Sequence, residues 1–176
     1  VMTDSSGAKA NWNGKMFEDF VHDHLVRNGW TFIENRYLSN LDITKGKKSI
    51  AHSKYELFDD DRVGERWFTT QCKLTDTIYN NSWKVDFLLH DERMKKSLVI
   101  ECKWQQSSGS VDEKYPYLVR NIKEKSPYPC LVLLDGDGYK PAAKEWLKSE
   151  VDKKLIGVLS MSEFVKWFGS KENFFN

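Results

Sequence analysis

Apolar residues stand out of a polar background at Phe17, Phe20, Val21 and Leu25, offsets of 0, 3, 4 and 8 that mark one face of a helix over residues 13–28. Gly29 ends it. Trp30, Thr31, Phe32 and Ile33 read as a first strand, and the charged stretches Lys45-Gly46-Lys47-Lys48 and Asp59-Asp60-Asp61 as an exposed connection after it. Residues 66–79 are rich in aromatic and β-branched side chains, a turn-prone Asn80-Asn81-Ser82 follows, and residues 84–89 resume the strand pattern. A polar turn over 91–96 then leads into 97–103, so these last two strands form a hairpin. Ser110-Val111-Asp112-Glu113 has the form of a capping box, predicting a helix over 111–125 that Pro116 either kinks or delays to about Tyr115. A strand over 129–134, ended by Asp135-Gly136-Asp137-Gly138, precedes a helix opened by Pro141, a strand over 155–159, and a final helix carrying Phe164, Val165, Trp167 and Phe168 behind Ser160. The order predicts an α/β fold with a mixed central β-sheet flanked by helices.

Composition sharpens this in two ways. A chain of 176 residues with 40% hydrophobic residues builds one core, so a single domain over 1–176 is expected. Twenty-seven Lys and Arg against 26 Asp and Glu exclude a histone-like basic bulk but leave room for a local basic face. No apolar run approaches the ~20 residues of a membrane span, and no secretory signal is visible in the polar start, Val1 to Gly7. Cys72, Cys102 and Cys130 are odd in number, far apart and set among apolar neighbours, which points to reduced packing residues and a cytoplasmic protein.

Charge interrupts the predicted hairpin where burial is expected. Residues two apart share a face of a strand, so Glu101 and Lys103 point together while Ile100 and Cys102 point the other way. If the turn centres on Arg93 and Met94, opposed residues have numbers summing to about 187, which sets Asp86 beside Glu101. Two adjacent carboxylates repel unless a cation or proton is shared. A divalent metal resolves the conflict, with Asp86, Glu101 and the backbone carbonyl of Cys102 as oxygen ligands suited to Mg²⁺ or Mn²⁺. Lys103 would orient or deprotonate a water, or neutralise charge in a phosphoryl transition state. The alternative is a cross-strand ion pair on a solvated face.

With this spacing, the element order resembles the PD-(D/E)XK nuclease superfamily, which includes restriction endonucleases and Holliday-junction resolvases, over roughly residues 13–134. The resemblance implies a restriction-endonuclease-like core over about 13–135, with a C-terminal α/β extension over about 139–176. It matches Asp86 to the first acidic position of the motif, Glu101 to its Asp/Glu and Lys103 to its lysine. Gly14-Lys15-Met16-Phe17-Glu18 resembles the Gly-x-x-Phe-Glu opening of the first helix in resolvase-like members. That match makes Glu18 a carboxylate assisting the metal; the alternative is a surface acid paired with His22. Gln105 extends the active face and matches a polar position in some branches, or else is an exposed strand-end residue. Two departures are Val85 where the motif has Pro, and a long segment over 45–66.

Polar and basic residues beside the cluster are candidates for binding DNA: Lys84, Trp104, Ser108, Ser110, Lys114, Tyr117, Arg120 and Asn121, with Lys45, Lys47, Lys48, Lys73 and Lys123 behind them. Asp135-Gly136-Asp137-Gly138 lacks the rest of a calcium or phosphate loop and reads as a turn, and the four histidines show no metal or triad spacing. The aromatic residues mean core, with Trp167, Phe168, Phe174 and Phe175 as a possible homodimer face. The resemblance implies a metal-dependent DNA endonuclease leaving 5′-phosphate and 3′-hydroxyl ends. A structure-selective repair or junction nuclease, and a non-catalytic nucleic-acid-binding module on the same fold, are the alternatives.

Overall fold

A computed structural model describes residues 6–35, 65–106 and 112–176, with side chains from residue 13 onward. Its first helix, α1 (Ser6–Arg27), starts about two turns ahead of the predicted 13–28, where Ala8, Lys9 and Ala10 favour helix by propensity alone. The stripe is narrower than expected: Phe17, Val21 and Leu25 are buried, while Phe20 is 37% exposed and stacks on His24. The helix ends in a Schellman pattern, with Trp30 N–H donating to Leu25 O, Gly29 N–H to Val26 O, and Gly29 at φ +83°.

Six strands follow: β1 (Thr31–Phe32), β2 (Arg66–Asp76), β3 (Ser82–Asp91), β4 (Lys96–Trp104), β5 (Cys130–Asp135) and β6 (Leu155–Leu159). They form one sheet in sequence order. β2, β3 and β4 are an antiparallel meander; β1 joins β2, β5 joins β4 and β6 joins β5 in parallel. The β4–β5 and β5–β6 joins require crossovers, and helices supply them: α2 (Tyr115–Glu124) after a short 3-10 turn (Asp112–Lys114), and α3 (Pro141–Ser149). The last helix, α4 (Met161–Phe168), has Ser160 and Glu163 in a full capping box. The expected mixed sheet flanked by helices is the fold observed. Pro116 stands in the first turn of α2, which starts at Tyr115 as the delayed alternative foresaw.

One face of the sheet packs on α1 and α4 through Phe17, Val21, Leu25, Phe164, Phe168 and Phe175. The other packs on α2 and α3 through Tyr115, Leu118, Val119, Ile122 and Leu147. Phe175 lies within the chain's own core, 4.8 Å from the Trp30 ring, as does Phe168, so neither is available as an exposed homodimer face. Cys72 and Cys130 are buried and Cys102 is half-buried, as packing residues would be. Among the described residues no helix is long and apolar enough to cross a membrane.

The meander kinks where the site lies. Val85 and Leu88 join the core on the α2 side, whereas Phe87 and Leu89 face α1, so the alternation of β3 slips by one at Asp86. Opposite, Gln71 sits between the Thr70↔Phe87 and Cys72↔Val85 pairs with φ at +51°, a left-handed conformation costing a non-glycine residue about 1 kcal/mol. Asn35 holds it there by donating its Nδ2 to the carbonyls of both Thr70 and Gln71.

Candidate active site

The β3–β4 register follows the sum of 187: Phe87 pairs with Ile100, Leu88 with Val99, Leu89 with Leu98. The ladder stops at Phe87↔Ile100. Two residues further along β4, Cys102 N–H lies beyond the ladder, and the Asp86 carboxylate takes the place of a backbone acceptor, Oδ2 accepting at 2.8 Å. In an extended strand a residue's carbonyl leaves from the same edge as its N–H, so the Cys102 carbonyl is on the Asp86 side of β4.

Lys103 Nζ bridges the acids, 2.7 Å from Glu101 Oε2 and 3.5 Å from Asp86 Oδ2. Glu101 is 3% exposed, and its second oxygen, Oε1, is buried without a hydrogen-bond partner among the described residues. Burial pushes the Glu101 carboxyl above its ordinary range, and Asp86 adds to this, while Lys103 opposes it. Burial disfavours the Lys103 ammonium, but Glu101 and then Asp86 outweigh it and hold the group charged. Gln71 Nε2 approaches Asp86 Oδ1 at 3.4 Å.

Glu18, on α1, belongs to the same neighbourhood. Its carboxyl is raised first by burial and next by Asp86, with Lys103 acting the other way. It does not pair with His22, whose ring lies edge-on to Phe32 and Phe68 and whose Nδ1 is 3.6 Å from Asp23. Among the described residues no three His, Cys, Asp or Glu side chains gather closely enough to hold a metal by themselves. The oxygen set is therefore two carboxylates and a main-chain carbonyl, with Glu18 standing off. Hard oxygen donors, one of them a buried orphan, fit a hard divalent cation.

Three expected site residues are engaged elsewhere. Gln105 is 2% exposed, neither on an active face nor at an exposed strand end: its Oε1 accepts from Tyr115 Oη at 2.8 Å and its Nε2 donates to Gly138 O at 3.1 Å. The Asp135–Gly138 turn folds over it so closely that a Cβ on Gly136 would lie 2.2 Å from Gln105 O. Trp104 follows the alternation to the α1 side and packs edge-on to Phe17 at 5.8 Å, away from Lys103. Asn121 is 3% exposed and its Oδ1 accepts Ile78 N–H at 2.8 Å, tying the β2–β3 turn to α2. Asp135 is a cap, its carboxylate accepting Gly136 N–H and Met161 N–H.

Of the other candidates, Lys114 is exposed at the start of α2, Tyr117 is half-buried, and Arg120 is exposed and paired with Glu124 at 2.8 Å. Lys123 is paired with Glu150. Lys84 is exposed directly opposite exposed Lys73 on β2, a like-charge pairing that disfavours the sheet in the absence of an anion. Ser108, Ser110, Lys45, Lys47 and Lys48 lie outside the described residues. Sequence reasoning missed Gln71: no residue type announces a left-handed glutamine within a strand.

Comparison with known proteins supplies a similar solved structure and a family. MunI restriction endonuclease, solved in complex with cognate DNA, superposes with a TM-score of 0.38 at 14% identity, covering 77% of this chain and 93% of that one. No curated protein matches. The family model described as a PD-(D/E)XK nuclease superfamily domain matches residues 9–171, nearly the whole chain, and this protein belongs to that superfamily, whose nucleases generally use divalent metals.

Proposed function

We propose that the protein is a metal-dependent DNA endonuclease, restriction-enzyme-like, that hydrolyses phosphodiester bonds to 5′-phosphate and 3′-hydroxyl ends. The observation that carries this reading is the meeting of Asp86, Glu101 and Lys103 where β3 and β4 part, with Glu101 Oε1 buried and unpartnered. Asp86, Glu101 and the Cys102 carbonyl would hold Mg²⁺, or Mn²⁺ in its place. When bound, the ion supplies Lewis-acid activation and charge neutralisation at the phosphate. Lys103, an ammonium on the same face as Glu101, donates hydrogen bonds to a non-bridging phosphate oxygen as charge builds there. Glu18 orients water from the α1 side. Lys84 with Lys73, and Lys114 with Tyr117, would hold the DNA backbone; the cross-strand pairing of the two exposed lysines supports the first. A reducing cytoplasm suits thiols packed among apolar neighbours such as Cys130, and cutting both strands from one such site calls for a homodimer or two successive nicks.

The test is incubation with linear, supercoiled and branched DNA in Mg²⁺, Mn²⁺ or EDTA, alongside Glu101→Ala and Lys103→Ala. Cleavage in metal, none in EDTA, and a fall of about 10³-fold or more in either folded variant are expected. Cleavage that survives EDTA, or variants as active as the parent, would sink the proposal. Binding without cleavage under every metal condition would make the chain a nucleic-acid-binding module.

A further inference from the structure

Against this site lies a cavity of about 230 Å³ that the chemistry above does not use. Its walls are Trp83 from the β2–β3 hairpin, Tyr115, Tyr117 and Leu118 from α2, and the side chains of Lys103 and Lys114. Among the described residues no carboxylate lines it. Aromatic and aliphatic walls that include two lysines suit a ligand with a flat apolar body and an anionic attachment. The volume falls below the range of roughly 300–1,000 Å³ that holds drug-sized ligands, which limits the body to a single ring system.

The cavity is held open by the fold. Asn121 Oδ1 fixes the hairpin turn to α2 through Ile78 N–H, and Thr77 Oγ1 accepts from the N–H groups of Tyr79 and Asn81 within that turn. Beside it, Tyr79 stacks on Tyr117 at 5.1 Å and 21° while remaining 69% exposed, so an aromatic surface continues from the cavity out to solvent. The cavity opens beside Lys103, a group in contact with both carboxylates.

We propose that the cavity receives one unpaired nucleobase of the DNA substrate, with the attached phosphates at Lys103 and Lys114, so that cleavage is directed next to an extrahelical base. The proposal rests on the nuclease reading and deepens it by naming a substrate class. Stacking on aromatic side chains tolerates any base, and extrusion is easiest for a base that is already unpaired. The preference is therefore for a structural defect rather than for a sequence.

The experiment is equilibrium binding of the full chain, in EDTA to prevent cleavage, to three duplexes of one sequence: fully paired, with a single extrahelical thymine, and with an abasic bulge at that position. The thymine bulge should bind at least about tenfold tighter than the abasic bulge. Tyr117→Ala, and Leu118→Trp, which fills the cavity, should bring that ratio to within about twofold. Since Leu118 is buried and its variant is at risk of misfolding, half-buried Tyr117 carries the test. Equal affinity for the two bulges overturns the base pocket and leaves the nuclease reading intact, as does a ratio that survives Tyr117→Ala. Failure to bind any of the three, with no cleavage in Mg²⁺, overturns both and leaves the cavity to a partner protein's side chain.

Discussion

The two ends of the β3–β4 hairpin both bury charge, and they treat it in opposite ways. At the turn end, Asp91 is 2% exposed, yet its Oδ2 accepts Arg66 Nε at 2.7 Å and its Oδ1 accepts Met94 N–H at 2.9 Å. Burial raises its carboxyl, but Met94 N–H and Arg66 outweigh this and hold it below the ordinary range. His90 lies between Ser97 Oγ at 2.8 Å and Glu92 Oε2 at 3.0 Å, and Lys95 bonds Glu92 in turn. The ladder runs through to Asp91↔Lys96. At the other end the ladder breaks at Phe87↔Ile100, Glu101 keeps an orphan oxygen, and its carboxyl is raised. Charge within a buried strand is thus no mark of function by itself. What separates the ends is whether the fold completes the charges or leaves them to something else.

The largest expected effect breaks the comparison at the open end. Glu101→Gln should cut Mg²⁺-dependent cleavage by about 10³-fold while leaving the fold intact, because the amide oxygen can still accept from Lys103 and Asp86 remains beside that ammonium. Mg²⁺ at about 100 times its dissociation constant should add roughly 2.7 kcal/mol to the unfolding free energy of the parent, and nothing to Glu101→Gln. Chemical denaturation with and without Mg²⁺ reads this directly; equal stabilisation of both proteins would place the ion elsewhere. At the closed end the expectation inverts. Asp91→Ala strands Arg66 and Met94 N–H and should cost about 2–3 kcal/mol of stability, while cleavage per folded molecule stays at the parental level.

Gly136 tests how the open end is held from behind. It adopts φ +96°, and an added Cβ would meet Gln105 O at 2.2 Å. Gly136→Ala should cost about 2 kcal/mol and loosen the end of β4 two residues beyond Lys103. A melting temperature equal to the parent's would show that the turn yields freely.

These positions also show what could be read in the chain beforehand. The register sum of 187 needed only a turn and an alternation, both local, and the pairs from Phe87↔Ile100 to Asp91↔Lys96 follow it. The parity that grouped Glu101 with Lys103 also put Trp104 on the other face, so that signal was present. Gln105 has the right parity, but β4 ends before it, and its partners are Tyr115 and Gly138, the second 33 residues away; strand periodicity carries no trace of such a contact. Asn121 binds a main-chain N–H 43 positions back, which is equally invisible. The kink at Gln71 is a backbone state imposed by Asn35 and the sheet, not by the residue type.

The smallest effect separates the two ends by the sign of a slope. His90 has its pKa lowered by burial, with Glu92 opposing only in part, so below about pH 6.5 the unfolded chain takes up a proton that the native state refuses. Stability should therefore decline as pH falls from 7 toward 5, and His24, lowered by burial and by Arg27, adds to the same slope. At the open end the raised carboxyls of Glu18 and Glu101 act in reverse: the native state retains protons that the unfolded chain has lost above about pH 4.5, so stability declines as pH rises through that window. Denaturant unfolding across pH 4.5–7, in EDTA, resolves the two. His90→Gln should flatten the acid-side decline, leaving the share from His24, and Glu18→Gln should reduce the opposite slope without touching the first. If His90→Gln leaves the acid-side decline unchanged, the closed end is not the source of that slope, and the Ser97–His90–Glu92 arrangement stabilises the turn whatever its protonation.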